Sequence, residues 1–115
     1  MNDAAVCVTG KLLWSPNPSA RTQGQVPDFA GFVAEQAGMD WGGDFQALWQ
    51  WSVDSNVEFW DLFWDWHGVI GDKGTRKIEN GAAMPGARFF PDARLNYAEN
   101  MLAGADDRLA LSAHG

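Results

Sequence analysis

The sequence predicts a mainly α fold: three to four short helices with long Pro/Gly-rich loops and a terminal strand. Three observations carry this. β-Branched residues are scarce, with seven Val, two Ile and three Thr in 115 residues, which is poor material for a sheet-dominated domain. Apolar residues recur at helical spacing in several segments, each preceded by Asp, Ser or Asn, the residues that cap helix N-termini. Between those segments, 13 Gly and 5 Pro punctuate the chain as loops.

Residues 1–27 read as an extended N-terminal segment, because Pro16, Pro18 and Pro27, with Gly10 and Gly24, break any helix longer than a turn or two. Asp28 is a suitable N-cap for the helix that follows. Phe29, Phe32, Val33 and Ala37 share one of its faces, and Gly38 suits its end. Asp44 caps a second helix, with Phe45, Leu48, Trp49 and Ser52 on one face. Ser55 opens a third, where Glu58 three positions later completes a capping-box pattern, and Gly68 ends it. Residues 68–87 are a Gly-rich connection with room for at most a short strand or hairpin. Arg88–Phe90 reads as extended before Pro91. Asn96 with Glu99 starts a short helix over 96–103 that carries Tyr97, Met101 and Leu102. Gly104–Asp107 reads as a turn, and Arg108–Gly115 alternates like a strand. That strand needs neighbours to pair with.

The charge balance narrows the function. A formal net charge of −7 and a pI near 4.5 give no counterion-release drive toward DNA or RNA, so no nucleic-acid partner is expected. The single cysteine, Cys7, cannot form an internal disulfide framework, which favours a reducing compartment. No apolar run approaches the roughly 18 residues that span a bilayer. Asp3, in place of a basic cluster, precedes the weak apolar stretch at the N-terminus. These features point to a soluble, intracellular chain without a membrane partner.

The third helix is the unusual element. Residues 41–66 hold six of the seven Trp. At about 100° per residue, Glu58, Asp61 and Asp65 occupy one narrow arc, while Val57, Phe59, Trp60, Leu62, Phe63, Trp64 and Trp66 fill most of the rest. A surface helix of a small monomer needs only one apolar stripe. Either an aromatic patch is exposed for a partner, or the covering element is missing sequence. The residues expected to pack or to form an interface are Trp49, Trp60, Phe63, Trp64, Phe89, Phe90 and Tyr97. If the Trp64 ring is buried, Trp64→Ala costs about 3–5 kcal/mol.

Other candidates for chemistry have plainer readings. The Glu58, Asp61 and Asp65 stripe has the donors for a hard cation or an acid/base pair, but it reads as a solvated face. His67 and His114 lack Cys or carboxylate partners at metal-ligand spacing, and nothing places Cys7 beside either. Gly68, Gly71 and Gly74 with Thr75, Arg76 and Lys77 superficially suggest a phosphate cradle, but the order fits no known phosphate loop. Together with Lys73 they read as a flexible, solvated loop. An aromatic cage for a sugar or quaternary ammonium group is a further reading of the tryptophans, behind packing. No residue set here makes a catalytic, cofactor-binding or metal-binding constellation.

The ordered string of motifs is more specific than any one of them. LWSPNP at 13–18 precedes a helix containing FVAEQ. ALWQWSVDSNVEFWDLFWDWHGV follows at 47–69, then MPGARFFPDARLNYAENML at 84–102, with DDRLALSAHG at the end. This order and spacing resembles the N-terminal region of acetoacetyl-CoA synthetases (acetoacetate–CoA ligases), within the acetyl-CoA synthetase-like, adenylate-forming enzymes. The resemblance implies a piece of an AMP-forming ligase that uses ATP, Mg²⁺ and CoA, with those groups handled elsewhere in the full-length relative and none in this chain. It implies that residues 28–103 are a helical N-terminal domain and that 104–115 begin an adenylation domain. The chain would then be an N-terminal cap cut from a larger α/β enzyme, inactive alone, with the rest of the ligase or an equivalent chain as its partner and a cytoplasmic setting. No catalytic residue is carried over. A stand-alone, aromatic-rich interaction module is the alternative.

Overall fold

A computed structural model describes residues 13–114. Cys7 and the rest of residues 1–12 lie outside the described part, as does Gly115. The elements run α1 (Pro18–Thr22), α2 (Gln25–Ala37), α3 (Phe45–Asp54), α4 (Asn56–His67), β1 (Ile78–Glu79), β2 (Arg88–Phe89) and α5 (Tyr97–Leu102). The chain is mostly helical with a small two-stranded sheet, in line with the expected class.

The N-terminal helices start earlier than the prolines suggest. The segment expected to be extended contains α1, whose N-cap Asn17 accepts a 2.8 Å hydrogen bond from the Ala20 N–H. Pro18 occupies its first turn, where a missing N–H costs nothing and a fixed φ is already helical. The same reason corrects the start of α2. Pro27 lies in its first turn, Gly24 is the N-cap, and Asp28 is already helical, donating its N–H to the Gly24 carbonyl at 3.1 Å. Gly38 ends α2 in the left-handed region at φ 68°, as its position suggested.

Asp44 caps α3, accepting from the Gln46 N–H at 2.9 Å. Ser55 separates α3 from α4, but the expected capping box does not form. The Ser55 side chain makes no capping bond, and its N–H donates to the Trp51 carbonyl at 2.8 Å. That N–H is the group a capping-box Glu58 would have to bind. The two helices are therefore nearly continuous, with a turn of backbone at Ser55. Gly68 ends α4 at φ 71°, its N–H shared between the Trp64 and Asp65 carbonyls.

Beyond α4 the chain folds back on itself. Asp72 and Arg94 exchange two backbone hydrogen bonds of 2.8 Å, and β1 pairs antiparallel with β2 in the register Ile78↔Phe89 and Glu79↔Arg88. Extended backbone stops one residue short of expectation, since Phe90 adopts φ 46° while donating its N–H to the Lys77 carbonyl. Asn96 caps α5 as expected, accepting from the Glu99 N–H. From α5 the side chain of Asn100 reaches Ile70, accepting its N–H at 2.8 Å and donating to its carbonyl at 2.9 Å. One amide thus copies a strand pairing across 30 residues.

The expected terminal strand is not formed. Residues 109–114 have no regular structure, with Leu109 and Leu111 82% and 91% exposed. An isolated alternating segment cannot satisfy its backbone without a neighbour, and no described strand lies beside it.

The core is small. Among the described residues only Phe29, Ala30, Val33 and Leu48 are buried apolar groups. The radius of gyration is 19.3 Å, against about 13 Å for a compact domain of this length. Helices α2 and α3 and the hairpin arm pack along α4 instead of closing around a common centre.

Candidate functional site

α4 places its aromatic side chains on two neighbours. On one side, Phe29 of α2 meets Phe59, Phe63 and Trp66, with ring centroids 5.5, 5.7 and 5.2 Å away, all edge-on. On the other, Trp60 packs edge-on against Phe89 at 5.9 Å and Trp64 lies tilted over Phe90 at 5.0 Å. Phe90 turns its ring to Trp64 from left-handed backbone. The arc that looked too wide for one stripe serves these two contacts, with the Phe29 contacts and the Trp60–Phe89 pair in the edge-to-face geometry that aromatic pairs prefer.

The coverage is nonetheless incomplete. Between α2, α3 and α4 lies an open hollow of about 390 Å³, lined chiefly by Val26, Phe29, Phe45, Leu48, Trp49, Phe59, Phe63 and Trp66. Gln25, Ser52 and His67 are its polar lining, and the His67 ring stacks on Phe63 at 5.7 Å with 6° between planes. Of the residues expected to pack or to form an interface, Phe63 and Trp64 are half-buried, and Phe63 and Trp49 line the hollow. Trp49 is 47% exposed, Trp60 and Phe89 are partly open beside each other, and Phe90 is half-buried. Tyr97 is 74% exposed on α5 and belongs to neither contact. Because Trp64 is only partly covered, the 3–5 kcal/mol expected from full burial is too large.

The polar arc of α4 differs from expectation. The sequence pattern predicts a solvated face at Asp61 and Asp65 and a flexible, solvated loop at Lys73 and Lys77. Instead, Lys73 Nζ lies 2.7 Å from Asp61 Oδ1 and also pairs with Asp65, while Lys77 Nζ lies 2.7 Å from the same Asp61 oxygen. Partial burial pushes the Asp61 carboxyl up, but hydrogen bonds and charge from Lys73 and Lys77 outweigh it and hold the group below the usual carboxylate range. Burial likewise pushes Lys73 down, and its bonds to Asp61 and Asp65 raise it above the usual ammonium range. Glu58 stays exposed, as expected.

A second cluster fastens the hairpin arm. Arg76 bonds both oxygens of Asp92 and also pairs with Glu79, which Arg88 reaches from β2 at 3.1 Å. The hydrogen bonds from Arg76 hold the Asp92 carboxyl well below its ordinary range. Arg76 and Glu79 are local neighbours, but only folding of the arm brings Asp92 and Arg88 to them. The one hint in the sequence is opposite charge on either side of a Gly-rich turn.

These pairings decide what the candidate ligands groups can do. Among the described residues, no group of three or more His, Cys, Asp or Glu is placed to hold a metal ion. The carboxylates nearest to such a role, Asp61 and Asp65, are occupied by lysine. The Gly-rich loop is no phosphate cradle either: a Cβ at Gly71 would meet the Arg94 carbonyl at 2.7 Å, and one at Gly74 would meet Asp92 Cβ at 2.6 Å. The space above these glycines is filled by the chain itself, and Arg76 is neutralised by Asp92. The Gly-rich loop and the Asp61/Asp65 pair therefore do not fit ATP phosphates or Mg²⁺.

Comparison with known proteins adds the family. Residues 45–101, from the start of α3 into α5, match the family described as Acetyl-coenzyme A synthetase N-terminus. Acetoacetyl-coenzyme A synthetase of Rhizobium meliloti (strain 1021) is 36% identical over 99 residues, covering 84% of this chain and 15% of that protein. Acetoacetyl-CoA synthetase of Danio rerio is 34% identical over 106 residues, covering 90% and 15%. A malonamoyl-CoA synthetase of Penicillium aethiopicum is 35% identical over 60 residues, covering 50% and 8%. No solved structure matches the chain. The chain spans about 15% of the length of the first two relatives. Its helices α3 to α5 and their connecting arm therefore belong to the acetoacetyl-CoA synthetase family, and correspond to its acetyl-coenzyme A synthetase-type N-terminal region.

Proposed function

We propose that the chain serves as the N-terminal cap of an AMP-forming acetoacetate–CoA ligase, packing against the remainder of that enzyme and taking no part in its chemistry. The whole enzyme would convert ATP, acetoacetate and CoA to acetoacetyl-CoA, AMP and pyrophosphate. The observation that carries this reading is the open aromatic hollow between α2, α3 and α4, with Trp49 at its lip and only a small core behind it. Such a surface costs solubility unless something covers it. A body several times larger, of the kind the relatives possess, supplies the cover. ATP, Mg²⁺ and CoA would be held outside this stretch, because Asp61 and Asp65 are paired with lysine and Arg76 with Asp92. A cytoplasmic setting belongs to the same reading; no helix among the described residues is long and apolar enough to cross a membrane.

The test is made on the whole natural protein. AMP release that requires both acetoacetate and CoA supports the ligase. In that protein, Trp49→Ala is expected to lower the melting temperature and leave the KM values for ATP and CoA unchanged. A large rise in either KM with the melting temperature intact would overturn the structural role. The same hollow also suits a stand-alone module that binds a separate chain. Immunodetection against residues 84–102 separates the two: a 12.6 kDa species in the source cell favours the module, and a species several times larger favours the ligase.

A further inference from the structure

Residues 80–87 join β1 to β2 as a mostly exposed loop, and it opens on an Asn–Gly pair. Asn80 is exposed and adopts φ 53°, in the left-handed region that asparagine tolerates better than most side chains. The Ala83 N–H closes the turn by donating to the Asn80 carbonyl at 2.8 Å. Among the described residues, the Gly81 N–H and the Asn80 side-chain amide have no hydrogen-bond partner in the protein. Neither residue lines the hollow between α2, α3 and α4, so covering that hollow does not by itself cover this turn.

The other asparagines among the described residues are held or obstructed. Asn17 caps α1 by accepting from the Ala20 N–H, and it precedes Pro18, whose nitrogen carries no hydrogen. Asn56 begins α4 and precedes Val57, which is branched at Cβ. Asn96 caps α5 ahead of Tyr97, and Asn100 is bonded to Ile70 ahead of Met101. An asparagine amide is an acyl group, and the next backbone nitrogen is the nucleophile nearest to it. Bulk on the following residue and hydrogen bonds to the amide keep the two apart. Asn80 has neither protection.

We propose that Asn80 is a site of spontaneous covalent modification, where the Gly81 nitrogen attacks the side-chain amide and the asparagine becomes isoaspartate or aspartate. The Gly81 nitrogen gives up its proton and bonds to Asn80 Cγ. The Cγ–Nδ2 bond breaks, and Nδ2 departs as ammonia with a proton replacing the one released. One water then opens the five-membered imide. Opening at Cγ leaves aspartate, and opening at the backbone carbonyl leaves isoaspartate, whose main chain is one methylene longer. Either product places a new carboxylate beside Glu79, whose own is shared by Arg76 and Arg88. Isoaspartate also takes the Asn80 carbonyl out of the main chain, and with it the acceptor of the Ala83 N–H. The turn behind the Glu79↔Arg88 register is thereby altered.

The test holds the whole natural protein, folded, at pH 8 and 37 °C. Trypsin cuts after Lys77 and Arg88 and releases residues 78–88, in which Asn80 is the one asparagine. Loss of the amide from that peptide is expected to run at least fivefold faster than from peptides carrying Asn56, Asn96 or Asn100, with isoaspartate as the larger product. Gly81→Ala is expected to slow it at least fivefold. The added Cβ meets Ile78 Cδ1 at 2.6 Å, the flexible end of a side chain that can turn aside. Should that variant fail to fold, the pH profile of the natural chain decides in its place. Attack by a deprotonated nitrogen predicts a rate that rises at least tenfold from pH 6 to pH 8. A smaller advantage at Asn80, aspartate as the sole product, an unchanged rate in Gly81→Ala or a flat pH profile overturns the proposal. None of these readouts involves AMP release, so this inference and the ligase reading stand or fall separately.

Discussion

Lys73 Nζ lies 2.7 Å from Asp61 Oδ1, and it also donates to the Asp61 backbone carbonyl at 3.3 Å. The lysine side chain is only 17% exposed, so this contact pins the loop after α4 back onto the helix from which it departs. Lys77 shares the same carboxylate from one turn of loop further on. The hairpin arm is thereby anchored at its root by charge through Lys73 and Lys77, and on the returning strand by the packing of Trp60 and Trp64 on Phe89 and Phe90.

The charge anchor has a defined pH window. Asp61 titrates below its reference value of 3.8 when folded, so its contribution is complete above that value and is lost as pH falls through the lower folded pKa. Lys73 is raised above 10.5, so its contribution is complete below that value and is lost as pH rises through the higher folded pKa. The anchor therefore holds across the whole neutral range. Hydrogen exchange of the Asp72–Lys77 amides is expected to stay flat from pH 5 to 9 after correction for intrinsic rates, and protection is expected to fall below pH 3.8. Loss of protection between pH 5 and 7 would refute the assignment to Asp61.

Lys73→Met separates charge from packing. The substitution keeps an apolar stem and removes three donors, leaving Asp61 to Lys77 alone. With Asp61 about one-third exposed, solvent screens the pair, and the expected cost is about 1 kcal/mol. Chemical denaturation monitored by tryptophan emission measures it. A cost that vanishes in 0.5 M salt identifies the Coulombic part.

Phe29→Ala tests the apolar contact. Phe29 is 7% exposed and touches three aromatic rings of α4, so truncation leaves a cavity that rigid neighbours cannot close. The expected cost is about 3–4 kcal/mol. Tyr97→Ala, at an exposed position without aromatic neighbours, is expected to stay within about 0.5 kcal/mol. Equal costs at the two positions would show that α2 is not seated on α4.

The sequence made the helices legible because their caps and periodicity are local. Asp44, Gly38, Gly68 and Asn96 each act within four residues of their own position. Ser55 misled because its N–H was already taken by Trp51, a partner chosen by the continuity of two helices. Pro18 and Pro27 misled because the same residue that breaks a helix interior suits its first turn. The aromatic excess of α4 was legible as an anomaly, yet its division between Phe29 and the pair Phe89/Phe90 needs the fold-back of a 20-residue loop. The ion pairs of Asp61 and Asp92 were illegible for the same reason: their partners are 12 to 16 residues away, with no periodicity linking them.

Asn100 offers the sharpest single-atom test of that fold-back. Its amide oxygen and nitrogen engage the N–H and carbonyl of Ile70, and its Nδ2 also reaches the Asn96 carbonyl at 2.9 Å. Asn100→Asp keeps the acceptor for the Ile70 N–H but replaces the donor by a carboxylate oxygen facing two carbonyls. Asn100→Ala removes both bonds and leaves the Ile70 groups to water, at about 1–2 kcal/mol for two partly exposed hydrogen bonds. The Asp variant is therefore expected to be at least as destabilising as the Ala variant, although it is closer in shape. Exchange of the Ile70 amide reports the difference directly, rising at least tenfold in Asn100→Ala. If that amide exchanges as slowly in the variant as in the natural sequence, α5 is not held to the loop by this side chain.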